Sequence, residues 1–177
     1  MVALKSGRSR IIAAVVVAVV LTFVALTLRL FVYPDLNAPV RSNAIVVLGG
    51  FGLSSVHAGE KLAEEGYAST LVFSLEPSLS CVPSTAKVTI MCFRANPLST
   101  RGEARAIAAL ARRHHWHRII VVMPTTQATR ARLRIGRCYP GQLVEVAVPP
   151  SGITEWLGGI TYEWFALAKA MVWQTGC

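Results

Sequence analysis

Two acids and two hydroxyl residues are the strongest candidates for chemistry in this sequence. Glu103 comes shortly after Ser99 and Thr100 at the predicted start of a helix, and Glu76 follows a predicted strand. A hydroxyl in a crevice can orient a substrate while a carboxyl acts as acid or base, which predicts Glu103, Ser99 and Thr100 as catalytic residues. The alternative is structural, because Thr100 and Glu103 have the spacing of a capping box that closes the first turn of a helix.

Residues of a second group are suited to binding a ligand. They are glycine, hydroxyl, amide and arginine residues that follow predicted strands: Gly49, Gly50, Gly52, Ser74, Thr125, Gln127 and Arg130. Backbone amides at glycine turns and helix starts attract anions, and arginine pairs well with phosphate and carboxylate. The alternative is plain turn geometry, because glycines also form tight turns and hydroxyls also cap helices.

The sequence offers little support for a metal or a cofactor. Asp35 is the only aspartate and follows the apolar N-terminal segment, so an aspartate cage for Mg²⁺ is not expected. His114, His115 and His117 could bind a metal, but they are better explained as the polar end of a helix. The segment 50–52 begins a dinucleotide fingerprint whose third glycine is missing. We therefore predict no metal site and no cofactor.

Arginine is concentrated in the second half of the chain. Between Arg94 and Arg137 there are ten arginines and one acid, Glu103. In the predicted helix after the fourth strand, Arg130, Arg134 and Arg137 fall on one face. Such a face could bind phospholipid headgroups, lipid-linked phosphates or anionic wall polymers, or it could be a solvated basic surface. Arg130 is the strongest single candidate for contact with an anion.

Strand-like and helix-like segments alternate after residue 42. Apolar, β-rich runs predict strands at 44–48, 70–74, 88–92, 118–123 and 143–148, and capped or amphipathic segments predict helices at 54–65, 99–115, 126–138 and 154–173. This alternation predicts an α/β fold with a Rossmann-like, three-layer, doubly wound parallel sheet. Ligands of such sheets bind beyond the carboxyl ends of the strands, where the candidate residues fall.

The last predicted helix is rich in large aromatic side chains. It contains Trp156, Trp164 and Phe165, and Trp173 lies at its end. Indoles are frequent at membrane interfaces, so a surface in contact with lipid is one interpretation. The interpretation that we favour from the sequence is a helix that packs on the sheet.

The N-terminal segment is a predicted membrane span. Residues 11–28 comprise sixteen apolar residues and two threonines, without a charge. Extended to residue 32, a helix rising ~1.5 Å per residue is about 33 Å long, enough to cross a bilayer core. Lys5, Arg8 and Arg10 precede the span, so the positive-inside rule predicts a cytoplasmic N-terminus.

These features divide the chain into four parts. We predict a cytoplasmic tail at 1–10, an uncleaved transmembrane signal anchor at 11–32, a linker at 33–41 and an extracytoplasmic domain at 42–177. A cleaved signal peptide is the alternative, although the apolar run is long and Pro39 would follow the best cleavage site. Outside the cytoplasm a nucleic-acid partner is not expected, despite the net charge of +9.

The four cysteines all follow the predicted span. They are Cys81, Cys92, Cys138 and Cys177, and they allow three full pairings. Thiols outside the cytoplasm tend to oxidise, so one or two disulfides are expected, and Cys81 and Cys92 could close a short loop. The alternative is four free, buried cysteines that behave as small apolar residues.

Short motifs occur in a specific order along the outer domain. They are AIVVLGG at 44–50, EGYA at 65–68, STRGEA at 99–104, and RIIVV at 118–122 followed by TRA at 129–131. In order and spacing they resemble the YdcF-like domain family, which includes SanA- and ElyC-type envelope proteins, over about residues 42–170. The resemblance implies a Rossmann-like domain, an N-terminal anchor and a role in bacterial envelope or cell-wall biogenesis, without an established reaction.

The sequence departs from the family pattern at three positions. The turn after the first strand, 51–55, is uncharged, and Ser74 is followed by Leu75 and Glu76 where the family has two glycines. Gln127 stands where the family commonly has a histidine. Glutamine forms hydrogen bonds but does not exchange protons near neutral pH, which weakens the case for catalysis.

Two functions are therefore expected from the sequence. The first is a membrane-anchored, extracytoplasmic accessory or binding factor of envelope biogenesis that recognises an anionic, phosphate-bearing ligand. The alternative is a hydrolase or transferase that acts on a lipid-linked envelope precursor through Glu103. A domain that only contacts another membrane protein is a third interpretation, and the sequence identifies no particular protein partner.

Overall fold

Five parallel strands form a single sheet. The computed structural model describes residues 3–49 and 52–177, with side chains described from residue 8. The strands are β1 (Ala44–Val47), β2 (Thr70–Ser74), β3 (Thr89–Phe93), β4 (Arg118–Pro124) and β5 (Gln142–Val148). Their order across the sheet is β3-β2-β1-β4-β5, and all neighbouring pairs are parallel. The predicted α/β class and parallel sheet are confirmed, and no strand end differs from its predicted position by more than one residue.

The helices that the structure describes are α1 (Ala3–Thr27), which continues as a π-helical turn at Leu28–Val32, α2 (Leu53–Glu64), α3 (Thr100–Arg113), α4 (Ala128–Cys138) and α5 (Ile153–Val172). Of these, α2, α3 and α4 flank the sheet. A 3₁₀ turn at Thr125–Gln127 joins β4 to α4. Four of the five helices were expected within one or two residues of these bounds, and α1 also includes residues that were assigned to the N-terminal tail.

The central strand β1 is buried on both faces, which explains its unbroken apolar sequence. Alternate residues point to opposite faces, so Val46 joins a core with α3 and α4, whereas Ile45 and Val47 join a second core with α2. The helix α5 contacts α4 and the 3₁₀ turn instead. Among the described residues, neither sheet-facing core includes a residue of α5, so the expectation that this helix packs on the sheet is wrong.

Both pairs of cysteines form disulfides. Cys81 bonds to Cys92, which ties the long loop after β2 to β3, as the short spacing suggested. Cys138 bonds to Cys177, which ties the end of α4 to the segment that follows α5. The interpretation as four free cysteines is therefore wrong.

The helix α1 is long and apolar enough to span a membrane, and its span-like part is exposed along its length. Only its end is covered by the domain. Phe31 is fully buried, and Phe23 and Phe31 lie on either side of Trp164, with ring centroids 5.1 and 5.2 Å from the indole. The indole Nε1 of Trp164 also donates a hydrogen bond to Thr27 Oγ1 at 3.2 Å. The span is thus attached to the middle of α5.

The linker pairs with the edge strand β5 and covers an acidic residue. Asn37 N donates to Glu145 O at 3.2 Å, and Asn37 Oδ1 accepts from Glu145 N at 3.2 Å. The Glu145 side chain is 1% exposed and forms an ion pair with Arg132, which also donates to the Asp35 backbone oxygen. Burial raises the pKa of Glu145 to about 7, although Arg132 opposes the rise.

The raised pKa of Glu145 predicts a stability that falls as the pH rises. The folded protein holds this proton more tightly than the unfolded chain, so the stabilisation is complete below about pH 4.5 and is lost by about pH 7. One pKa unit corresponds to about 1.4 kcal/mol, so a rise from 4.5 to about 7 corresponds to a loss of about 3–4 kcal/mol. Thermal melts across this range measure the slope. Glu145→Gln should make it shallower, and an unchanged slope in this variant would contradict the assignment.

Candidate functional site

A cavity of about 320 Å³ opens at the carboxyl ends of β1, β2 and β4. The chain leaves β1 toward one face of the sheet and β4 toward the other, which leaves a crevice between their loops. The first turn of α3 and the start of α4 border this crevice. The residues that line it are Gly49, Ser74, Leu75, Glu76, Ala95, Leu98, Ser99, Thr100, Glu103, Gln127, Arg130 and Tyr162.

The structure brings most of the predicted site residues together in this cavity. The predicted catalytic set of Glu103, Ser99 and Thr100 lines it, and so do the predicted ligand-binding residues Gly49, Ser74, Gln127 and Arg130. Thr125 is buried as the first residue of the 3₁₀ turn, and Gly52 is exposed at the start of α2, and neither forms part of the wall. Gly50 lies outside the described residues.

Glu103 does not close a capping box. The residue that caps α3 is Ser99, whose Oγ accepts from Gly102 N, so the helix starts one residue earlier than a Thr100 cap requires. Each residue turns a helix by about 100°, and this shift directs the Glu103 side chain away from the helix end. Its Oε1 accepts a hydrogen bond from Gly49 N at 2.7 Å instead. The capping interpretation is therefore wrong, and Glu103 joins α3 to the turn after β1.

Glu103 is buried, with 5% of its surface exposed. Desolvation raises the pKa of Glu103, while hydrogen bonds from Gly49, Ser74 and Thr100 and the charge of Arg130 oppose the rise. A buried carboxyl with a raised pKa in a crevice is a characteristic of functional sites. It can hold or release a proton at a pH where an exposed glutamate is already ionised.

Glycine is required at two positions, one in the turn after β1 and one in the first turn of α3, because other parts of the backbone approach them closely. A Cβ at Gly49 would lie 2.7 Å from the carbonyl oxygen of Ser74, which the backbone of β2 holds in place. A Cβ at Gly102 would lie 2.0 Å from the carbonyl oxygen of Pro97 in the loop before α3. Any side chain at either position would push α3 or the β1 turn outward and move Glu103.

Arg130 and Glu163 form a buried, bidentate ion pair. Arg130 Nε donates to Glu163 Oε2 and Nη2 donates to Oε1, both at 2.6 Å, and the side chains are 8% and 2% exposed. The guanidinium also donates to Thr100 Oγ1 and lies over the ring of Tyr162, 5.5 Å from its centroid. Most of the Arg130 charge is therefore neutralised by an acid of the protein itself, which the sequence analysis did not predict.

Gln127 leaves one acceptor without a partner. Its Nε2 donates to Thr100 Oγ1 at 3.0 Å, but its Oε1 has no hydrogen-bond partner although the residue is only 1% exposed. A buried polar atom in this condition is costly unless something else satisfies it. Because Gln127 lines the cavity, this unpaired acceptor lies close to the space that a ligand would fill.

The other candidate groups lie away from the cavity. Arg134 donates to the backbone of Gln174, and Arg137 donates to the backbone oxygens of Ala170 and Gln174. These arginines complement the carboxyl end of α5, where cations are favoured, and they do not form an anion-binding face with Arg130. Among the described residues, no group of three or more His, Cys, Asp or Glu side chains is placed to hold a metal ion.

Two residues of the site were missed at the sequence level. Glu163 neutralises Arg130, and Tyr162 forms part of the cavity wall. Their pairing with residues of α4 could not be read from spacing, because 33 residues separate Arg130 from Glu163. The only available signal was an acid beside an aromatic residue in a helix that is otherwise mostly apolar.

No family model matches the sequence, and there is no significant match among curated proteins. The function is therefore inferred from the geometry of the cavity.

The ion pair predicts a specific pattern in a double-mutant cycle. Arg130→Leu or Glu163→Leu alone should each cost about 3–5 kcal/mol, because each leaves one buried charge without its partner. Arg130→Leu with Glu163→Leu should cost clearly less than the sum, because no charge is left unpaired. Chemical denaturation of the four proteins measures this coupling. Additive effects would show that the pair contributes no mutual stabilisation.

Proposed function

We propose that this protein is a membrane-anchored, extracytoplasmic factor of envelope biogenesis that binds a phosphate-bearing ligand in the cavity of Glu103 and Arg130. The observation that carries the proposal is the convergence of seven separately predicted residues on one cavity at the carboxyl ends of the strands. A YdcF-like assignment is consistent with this position and with the motifs at 44–50 and 99–104.

The proposed fold type is the Rossmann-like, doubly wound arrangement. Its support is the strand order β3-β2-β1-β4-β5 together with apolar cores on both faces of the sheet. In that arrangement the crevice beside the central strands is the usual ligand site, which is where the cavity lies.

The proposed location rests on charge and on the disulfides. Lys5, Arg8 and Arg10 precede the span, which favours a cytoplasmic N-terminus and therefore a domain on the other side of the membrane. Two disulfides within the domain agree with an oxidising compartment.

The preference for phosphate follows from the donors around the cavity. Thr100 and Arg101 are the first residues of α3, so their backbone amides have no partner within the helix and add positive potential. Arg130 retains N–H groups beyond those given to Glu163 and Thr100. The free acceptor of Gln127 suits a hydroxyl on the same ligand. Because Glu163 offsets Arg130, the binding of a full anion is strongest when Glu103 is protonated.

Glu76 provides a direct test of ligand charge. It is exposed on the cavity rim, so Glu76→Gln removes a negative charge without disturbing buried contacts. The full-length protein in nanodiscs should then bind polyprenyl phosphate about fivefold more tightly, since two exposed charges in contact interact by about 1 kcal/mol in water.

Glu64→Gln is the matched control, because Glu64 is exposed near the end of α2 and does not line the cavity. It should leave the affinity unchanged, and binding of the uncharged polyprenol should respond to neither variant. Equal affinity for the phosphate and the alcohol in the unmodified protein would overturn the proposal.

A second function is favoured by the environment of Glu103. Its raised pKa and its contact with the Thr100 hydroxyl suit a general acid in a hydrolase or transferase that acts on a lipid-linked phosphate precursor. In this case Gln127, which cannot exchange a proton, would only position the substrate.

Glu103→Gln separates the second function from the first. Glutamine can still accept the hydrogen bond of Gly49 N but cannot donate an acidic proton, so phosphate release from polyprenyl diphosphate should fall at least 100-fold. Glu76→Gln is the control and should retain turnover. Activity that survives Glu103→Gln would exclude Glu103 as the acid, and ligand binding without turnover in the unmodified protein would favour the binding function.

A further inference from the structure

The helix α5 exposes an uncharged stripe along most of its length. Large side chains at Leu157, Phe165 and Val172 share one face, and Phe165 is 75% exposed. The residues between them on that face, Thr161 and Ala168, are small and also carry no charge. A stripe of this kind is unusual on a surface that faces only water.

The stripe lies directly beside the attachment point of the membrane helix. At 100° per residue, Trp164 projects about 20° from the direction of Leu157 around the axis of α5. Trp164 is the residue that stacks on Phe23 and binds Thr27 through its indole nitrogen. The apolar surface of α1 and the stripe of α5 are therefore adjacent.

The position of the first charged residue after the apolar run determines how deep the contact between Trp164 and Phe23 lies in a bilayer. Arg29 is the first charge after the apolar run, and it forms an exposed ion pair with Asp35 that requires water or headgroups. Phe23 precedes Arg29 by six residues, which places it about 9 Å deeper along the helix axis. The contact of Trp164 with Phe23 thus lies below the level of Arg29.

A position of α1 that leaves Phe23 outside the hydrocarbon core is inconsistent with the thickness of a bilayer. A hydrocarbon core of about 30 Å requires roughly 20 helical residues. Only 18 residues separate Arg10 from Arg29. A boundary that left Phe23 in water would leave about 12 apolar residues for the core, or roughly 18 Å.

We infer that α5 is an interfacial helix whose stripe of Leu157, Thr161, Phe165, Ala168 and Val172 is immersed in the lipid surface beside the span. The domain is thereby held against the membrane by two elements, α1 through the bilayer and α5 along it. The bilayer itself, and not a second protein, covers the stripe, because the stripe lies beside the exposed apolar surface of α1 at Trp164.

This arrangement places the cavity at the level of the headgroups. Tyr162 and Glu163 belong to α5 and contribute to the cavity and its ion pair. A ligand carried by a lipid would therefore reach the cavity without leaving the membrane. Delivery of a ligand from the lipid rests on the whole proposed function, whereas the immersion of α5 rests only on its membrane-anchored part.

Single introduced cysteines test the immersion. The native cysteines are all paired, so Leu157→Cys, Phe165→Cys and Val172→Cys each add one free thiol at an exposed position. The full-length variants carry an environment-sensitive fluorophore in nanodiscs that contain lipids with spin labels on their acyl chains. Glu64→Cys on α2 is the control for a position in water.

The three α5 positions should show blue-shifted emission and several-fold stronger quenching by the labelled lipids than the Glu64 position. Emission and quenching like those of the control at all three positions would overturn the inference. A blue shift without quenching by lipid would also overturn it, because a protein surface or a second copy would then cover the stripe. Since this readout does not involve the ligand, it can fail while the proposed function stands.

Discussion

The buried ion pair between Arg130 and Glu163 is the interaction on which the rest of the arrangement depends. The helix α5 lies outside both sheet-facing cores, so its position is set by contacts with α4 and the 3₁₀ turn, and this pair is at their centre. The same guanidinium donates to Thr100 in the cavity wall. The residue after Glu163 is Trp164, which binds the membrane helix. This one ion pair thus connects α4, the cavity wall and the part of α5 that holds α1.

The end of α1 and the cavity lie at the same end of the sheet, where the strands have their carboxyl ends. The π-helical turn at the end of α1 contacts the 3₁₀ turn after β4, and Thr129 at the start of α4 donates to the carbonyl of Leu30. Gln127 of the 3₁₀ turn lines the cavity. If α1 spans a membrane as proposed, the domain presents the carboxyl ends of its strands, and not their amino ends, toward that membrane. This geometry gives a physical reason for a ligand that originates in the lipid phase.

Local sequence accounts for the fold better than for the site. The strands follow from short runs of β-branched residues, and the loop disulfide follows from two cysteines only 11 residues apart. The site residues were found because strand ends converge in any parallel sheet. The partners of these residues were not found from the sequence. Glu103 contacts Gly49, which is 54 residues away in the chain, and a one-residue shift of the α3 cap changes where the Glu103 side chain points. Such contacts depend on how the helices pack on the sheet, which periodicity does not determine.

These contacts support the proposal that the cavity binds a phosphate-bearing ligand beside the membrane. Native mass spectrometry of the full-length protein, released from the membranes in which it is produced, tests it most directly. The account predicts a bound species that fragments to a phosphate-bearing lipid and that is largely lost in Gln127→Leu, which removes the free acceptor in the cavity wall. A protein that carries no such species, or one whose occupancy is the same in Gln127→Leu, would contradict the account.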